Sequence, residues 1–186
     1  MDITEFLQQS AGKWVSQRTS HQFATQQTGS SRSNIVVEML PKDDLAVVKL
    51  CQRYKIDPAQ SLCGMRITWD SIPERGEQKR AGTTLLVPIT NQESDREGKL
   101  LWDAGTAAPA SEPGRYVLGE DDALTLITGS ETFSAEERLW FASPNLRLRT
   151  STLKSAGGFS MATFSSEIRM GGVQPPVSST ASEVSS

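Results

Sequence analysis

Short segments of alternating apolar and polar residues fill most of this chain, while helical spacing of apolar residues occurs in two places. The first is near the N-terminus, where Ile3, Phe6 and Leu7 share one helical face. Asp2 and Glu5 stand at capping-box spacing there, and Gly12 stops the helix. The second is PKDDLAVVKLCQRYK. Pro41 and the Asp43–Asp44 pair suit its N-terminal turn, and Val47, Val48, Cys51 and Tyr54 form its apolar stripe.

The alternating segments predict strands at Lys13–Phe23, Ser33–Leu40, Cys63–Asp70, Thr83–Thr90, Lys99–Asp103, Arg115–Leu118 and Ala123–Thr128. Three more are predicted at Glu131–Ala142, Asn145–Leu153 and Phe159–Arg169. Turn residues separate them: Gly29–Ser30, Gly119 to Asp122, Ser143–Pro144 and Gly157–Gly158. About ten sequential strands with short connections favour an all-β, antiparallel up-and-down barrel with one or two short helices, because closure removes exposed edges. A sandwich stays open on pattern alone. Residues 1 to about 170 form one domain on this reading. The remainder, 171–186, is a tail too poor in branched apolar residues to order itself.

Composition narrows the chemistry. The 186 residues suit a single domain with a core large enough to dispense with disulfides, and the net charge of −3 offers no electrostatic case for nucleic acid or an anionic membrane. Cys51, Cys63 and the single histidine, His21, are too few and wrongly spaced for a zinc site. The start lacks the basic and apolar runs of a secretory signal, and no stretch has the roughly 20 apolar residues of a membrane span. A reducing, cytoplasm-like compartment is the expectation.

Strand periodicity groups the candidate functional residues. Trp14, Ser16, Arg18 and Ser20 share one face of the first strand; Arg147, Arg149 and Ser151 share a face of the ninth, opposite Leu146 and Leu148. Parity alone does not say which face points inward, and leucines inside with arginines outside is the commoner arrangement. Inward arginines would need anionic partners, and a carboxylated ligand would supply them. Of Glu136 and Glu137 only one can face in, and Glu137 shares parity with Leu139 and Phe141. The tryptophans Trp14, Trp69, Trp102 and Trp140 suit a core or the wall of a pocket for a flat conjugated ligand. No phosphate loop and no nucleophile–base spacing is visible.

Three blocks carry a resemblance: SAGKWVSQRTSH, SAEERLWFASPNLRLRTS and GGFSMATFSSEIR. With the second helix, the Trp69–Asp70 pair and EGKLLW, they resemble the S-type phycobiliprotein lyases of cyanobacteria and related plastids, over residues 1 to about 170. The resemblance implies a lipocalin-like or fatty-acid-binding-protein-like barrel holding a linear tetrapyrrole, either phycocyanobilin or phycoerythrobilin, with no further cofactor. It implies transfer of that phycobilin to a cysteine of a phycobiliprotein subunit through a thioether at the ring A ethylidene. On the family pattern, Arg18, Arg147 and Arg149 match positions that grip the bilin, with Ser151 on the same face. Glu137 or Glu136, the proposed acid, and Trp14, Trp69 and Trp140 fall at or near the pocket. Arg75 and Gln22 depart from the pattern where relatives often carry an aromatic residue and a histidine. A non-catalytic bilin carrier and a partner subunit of a heteromeric lyase are the alternatives; a homodimer or a heterodimer with a paralogue suits either.

Overall fold

The structure, a computed structural model, describes residues 1–73, 78–91, 93–103, 105, 112–130, 133–155 and 157–171. Two helices, α1 (Ile3–Ser10) and α2 (Leu45–Arg53), accompany ten strands. These are β1 (Gly12–Gln22), β2 (Gln27–Leu40), β3 (Gly64–Ile72), β4 (Ala81–Pro88) and β5 (Glu97–Asp103), followed by β6 (Gly114–Leu118), β7 (Leu124–Ser130), β8 (Phe133–Ser143), β9 (Leu146–Ser155) and β10 (Gly158–Arg169). Each strand pairs antiparallel with its sequence neighbour, and β10 closes on β1 from Trp14–Arg169 to Gln22–Met161. The sheet has no free edge, which decides for the barrel over the sandwich.

The helices serve two separate cores. The reciprocal hydrogen bonds of Asp2 and Glu5 cap α1, which buries Ile3, Phe6 and Leu7 in one mouth of the barrel. Phe6 packs on Phe141, and beneath the helix lie Met65, Leu86, Tyr116, Leu124 and Leu126. Each such side chain contributes roughly 1.5–3 kcal/mol by leaving water. α2 lies outside the barrel. Val47, Leu50 and Cys51 cover Val87, Ile89 and Leu101 on the outer face of β4 and β5. Asp44 caps α2 by accepting from the Ala46 N–H, so Pro41 precedes the helix instead of opening it.

β2 begins at Gln27, six residues before the predicted Ser33, and the turn lies at residues 23–26, with Gln26 in the left-handed region, instead of at Gly29–Ser30. QTGSSR carries no apolar alternation, yet it pairs in full with the polar end of β1. Backbone pairing in a closed sheet outweighs the weak strand preference of those residues. Arg75 and the proposed tail from 172 onward lie outside the described residues. Among the described residues, no helix is long and apolar enough to cross a membrane.

Candidate functional site

With α1 filling one mouth, the barrel interior opens at the other into a cavity of about 510 Å³. That lies within the ~300–1,000 Å³ typical of small-molecule pockets. Ser16 and Arg18 of β1 and Ser31 and Ser33 of β2 form a polar wall; Trp69 of β3 and Trp102 of β5 form an aromatic one. Glu137 of β8 and Arg149 of β9 stand between them, and Arg80 reaches the rim. A larger concavity of about 770 Å³ runs over the outer wall beside β5–β7. Lys99 and Arg115 line it with Glu97 and Glu112, so its charges cancel.

The arginine face of β9 points inward and the leucine face outward. The reason stands on β10: Glu167 lies in register with Arg147, and its side chain is fully buried. Arg147 directs both Nε, at 2.7 Å, and Nη2, at 2.6 Å, to Oε2 of Glu167. Arg149 brings Nη2 to 2.9 Å from the other oxygen, and its Nη1 lies 3.7 Å from Glu137. The guanidinium–carboxylate pairing that a buried cation needs is thus built into the protein. Burial lowers the basicity of Arg149, but Glu137 and Glu167 more than offset this and leave its pKa raised.

Arg18 differs. It lines the cavity half-buried and makes no ion pair among the described residues. Burial and the adjacent Arg149 lower its pKa, against the pull of Glu137. It still carries its charge, since arginine does not deprotonate in proteins. Among the cavity-lining residues, three guanidinium groups (Arg18, Arg80, Arg149) stand against one carboxylate (Glu137), an excess of positive charge that favours an anionic ligand. Trp102 adds a buried indole Nε1 with no hydrogen-bond partner among the described residues.

Of the residues singled out from sequence, Arg18, Trp69, Glu137 and Arg149 converge on the cavity. Arg147 is set deeper, 4 % exposed, and is occupied by Glu167 and by the Trp14 ring 4.8 Å from its guanidinium carbon. Trp14 belongs to the closed end: its Nε1 donates to the Ser10 carbonyl, and Arg169 stacks over its ring at 4.1 Å. Ser151 keeps the inward parity of Arg149, opposite Glu137, but is not among the cavity-lining residues. Glu136 and Trp140 are out of phase with Glu137, are absent from the cavity lining and face the outer wall, where Trp140 pairs with Leu148. Glu137 is the one carboxylate lining the cavity among the described residues. Sequence reasoning missed Glu167 and Arg80, and named Trp102 only as one of four tryptophans suited to a core or a pocket wall. A lone acidic residue in the strand beside two arginines was the available signal for Glu167.

The family model described as "CpeS-like protein" matches residues 2–170. The "Chromophore lyase CpcS/CpeS" of Thermosynechococcus vestitus is 57 % identical over 175 residues, 94 % of this chain and 96 % of that protein. The "Phycocyanobilin lyase subunit CpcS" of Picosynechococcus sp. is 40 % identical over 182 residues, 97 % of this chain and 91 % of that one. The solved structure of the S-type phycobiliprotein lyase CPES from Guillardia theta superimposes with a TM-score of 0.79 at 32 % identity, covering 93 % of this chain and 95 % of its own.

Proposed function

The chain belongs to the CpeS-like protein family, and on that premise we propose that it is a phycobiliprotein lyase that binds a phycobilin in the barrel and attaches it to a client cysteine. The observation that carries the reading is Arg18, a half-buried cation with no ion pair among the described residues, beside the Arg149–Glu137 pair and lining the same cavity as Trp69 and Trp102. A bilin brings two propionates, a conjugated apolar body and pyrrole N–H groups. Arg18 suits a propionate, the indoles suit the conjugated rings, and Glu137 suits the N–H groups.

The chemistry asked of the protein is modest. The client thiol adds across the ring A ethylidene double bond; the C–S bond forms, the thiol's proton is balanced by one taken up by the ring system, and nothing leaves. No electron is supplied. The barrel contributes mainly by holding one conformer with ring A at the open mouth, so that the thiol meets a fixed face. On this reading Glu137, which lines the cavity, holds or returns a proton. Cys51 and Cys63 are both buried, and burial raises the pKa of each, so neither competes as a nucleophile. A reducing cytoplasm keeps them and the client cysteine as thiols.

Reconstitution tests the reading. Phycocyanobilin and phycoerythrobilin are each mixed with the protein, with and without an apo-phycobiliprotein β-subunit, and followed by absorbance, fluorescence and a zinc-stained denaturing gel. A fluorescent, client-linked adduct that depends on this protein is the expected result. A spectral change with no covalent product would make it a carrier or part of a heteromeric lyase, and no spectral change would remove the bilin from the account. A dimer, with itself or a paralogue, would use the outer wall of β10, where Phe164 and Ile168 stand about half exposed; sedimentation velocity reads that state directly.

A further inference from the structure

Gly82 stands near the start of β4, directly across from Trp69 of β3. Glycine is a poor strand residue, because it loses the most backbone freedom on folding and packs no side chain. Backbone geometry does not call for it here, since Gly82 lies outside the left-handed region. The three nearest atoms that a side chain would meet all belong to one ring. A β-carbon at this position would stand 2.8 Å from Nε1 and 2.9 Å from Cε2 and Cζ2 of Trp69. The indole therefore lies across the bare backbone of Gly82, a close approach of the kind that places glycine inside a strand.

We infer that Gly82 is a positioning residue: it seats the Trp69 indole against the barrel wall and thereby sets the width of the cavity's aromatic side. The ligand in this inference is the bilin of the proposed function; the seat itself does not depend on that reading. Ordinary contact begins at 3.4 Å, so a methyl group at position 82 drives the ring back by about 0.6 Å. The wall lies behind the ring and the cavity in front, so the ring moves inward. In the unliganded protein that space is open, and the displacement is tolerated. A bound planar ligand occupies the same space, so the penalty of overpacking appears on binding instead of on folding.

The test uses the full-length protein as wild type, Gly82→Ala, Gly82→Val, Trp69→Leu and Gly82→Ala/Trp69→Leu, titrated with phycocyanobilin and melted in parallel. Gly82→Ala is expected to weaken binding about tenfold with little change in Tm, and Gly82→Val to weaken it further. With Trp69 replaced by leucine, the added Gly82→Ala change should alter affinity less than about twofold, because the clash partner is gone. Equal losses in both backgrounds, or wild-type affinity for Gly82→Ala, would overturn the inference. If the wild type binds no phycocyanobilin, the bilin reading fails separately. The seat is then read from the near-UV circular dichroism of Trp69, taken as the difference between each protein and its Trp69→Leu counterpart. A changed difference spectrum in Gly82→Ala supports the seat, and an unchanged one refutes it.

Discussion

Arg147→Ala is expected to act on stability first and on the ligand only through it. Glu167 is fully buried in the barrel wall, and Arg147 supplies two of its three close guanidinium contacts, at 2.7 and 2.6 Å, both to one carboxylate oxygen. Truncation leaves a buried carboxylate whose remaining cation, Arg149, reaches the other oxygen at 2.9 Å and is shared with Glu137. Removing one partner of a buried pair costs about 3–5 kcal/mol, and the surviving contact to Arg149 argues for the lower end, about 3 kcal/mol. At roughly 2–4 °C per kcal/mol for a chain of this size, Tm should fall by about 6–12 °C. Urea and thermal unfolding followed by circular dichroism would measure both quantities. The double variant Arg147→Ala/Glu167→Gln removes the stranded charge and should recover at least about 1 kcal/mol relative to Arg147→Ala alone. A loss below about 1 kcal/mol for Arg147→Ala, or strictly additive effects in the double variant, would refute the claim that the pair fixes the inward face of β9. Bilin affinity of Arg147→Ala, measured well below its melting point, should stay within a few-fold of wild type.

Two further outcomes follow from the same geometry. Arg18→Gln removes an unpaired cation from the cavity, so stability should hold or rise slightly, while bilin affinity falls about tenfold or more, as for a lost charge-assisted hydrogen bond. A bilin with esterified propionates should bind both proteins alike, and a full affinity difference with the ester would refute the propionate contact. Burial pushes the Cys63 thiol up to about 11. The unfolded chain ionises it near 9.0, so its contribution to stability is intact below that pH and is lost as pH rises towards 11, by about 2–3 kcal/mol in all. Cys63→Ala should flatten that part of the stability–pH curve, and an unchanged slope would show that the thiol is not the group responsible.

The ten strands and both helices were legible because each rests on local pattern: strand periodicity, the Asp2–Glu5 cap and the Val47–Cys51 stripe; closure over a sandwich was settled only by the long-range pairing of β1 with β10. The grouping of Arg147 with Arg149, and of Glu137 apart from Glu136, was legible for the same reason, since alternation along a strand is geometric. Which face turned inward was not. Periodicity is symmetric under exchange of faces, and hydrophobicity favoured the leucines. Glu167 decided the question from the neighbouring strand through a register that appears only when β10 lies beside β9. Trp14 and Trp140 illustrate the same boundary. Both are aromatic residues at regular strand positions, yet one lies under the α1 plug between two arginines and the other on the outer wall. Sequence alone therefore determined the elements, their order and the sets of residues that travel together. The tertiary structure decided which set faces the cavity, that Arg18 lines it with no ion pair among the described residues, and which glycine seats the tryptophan, because each depends on what a strand meets across the barrel.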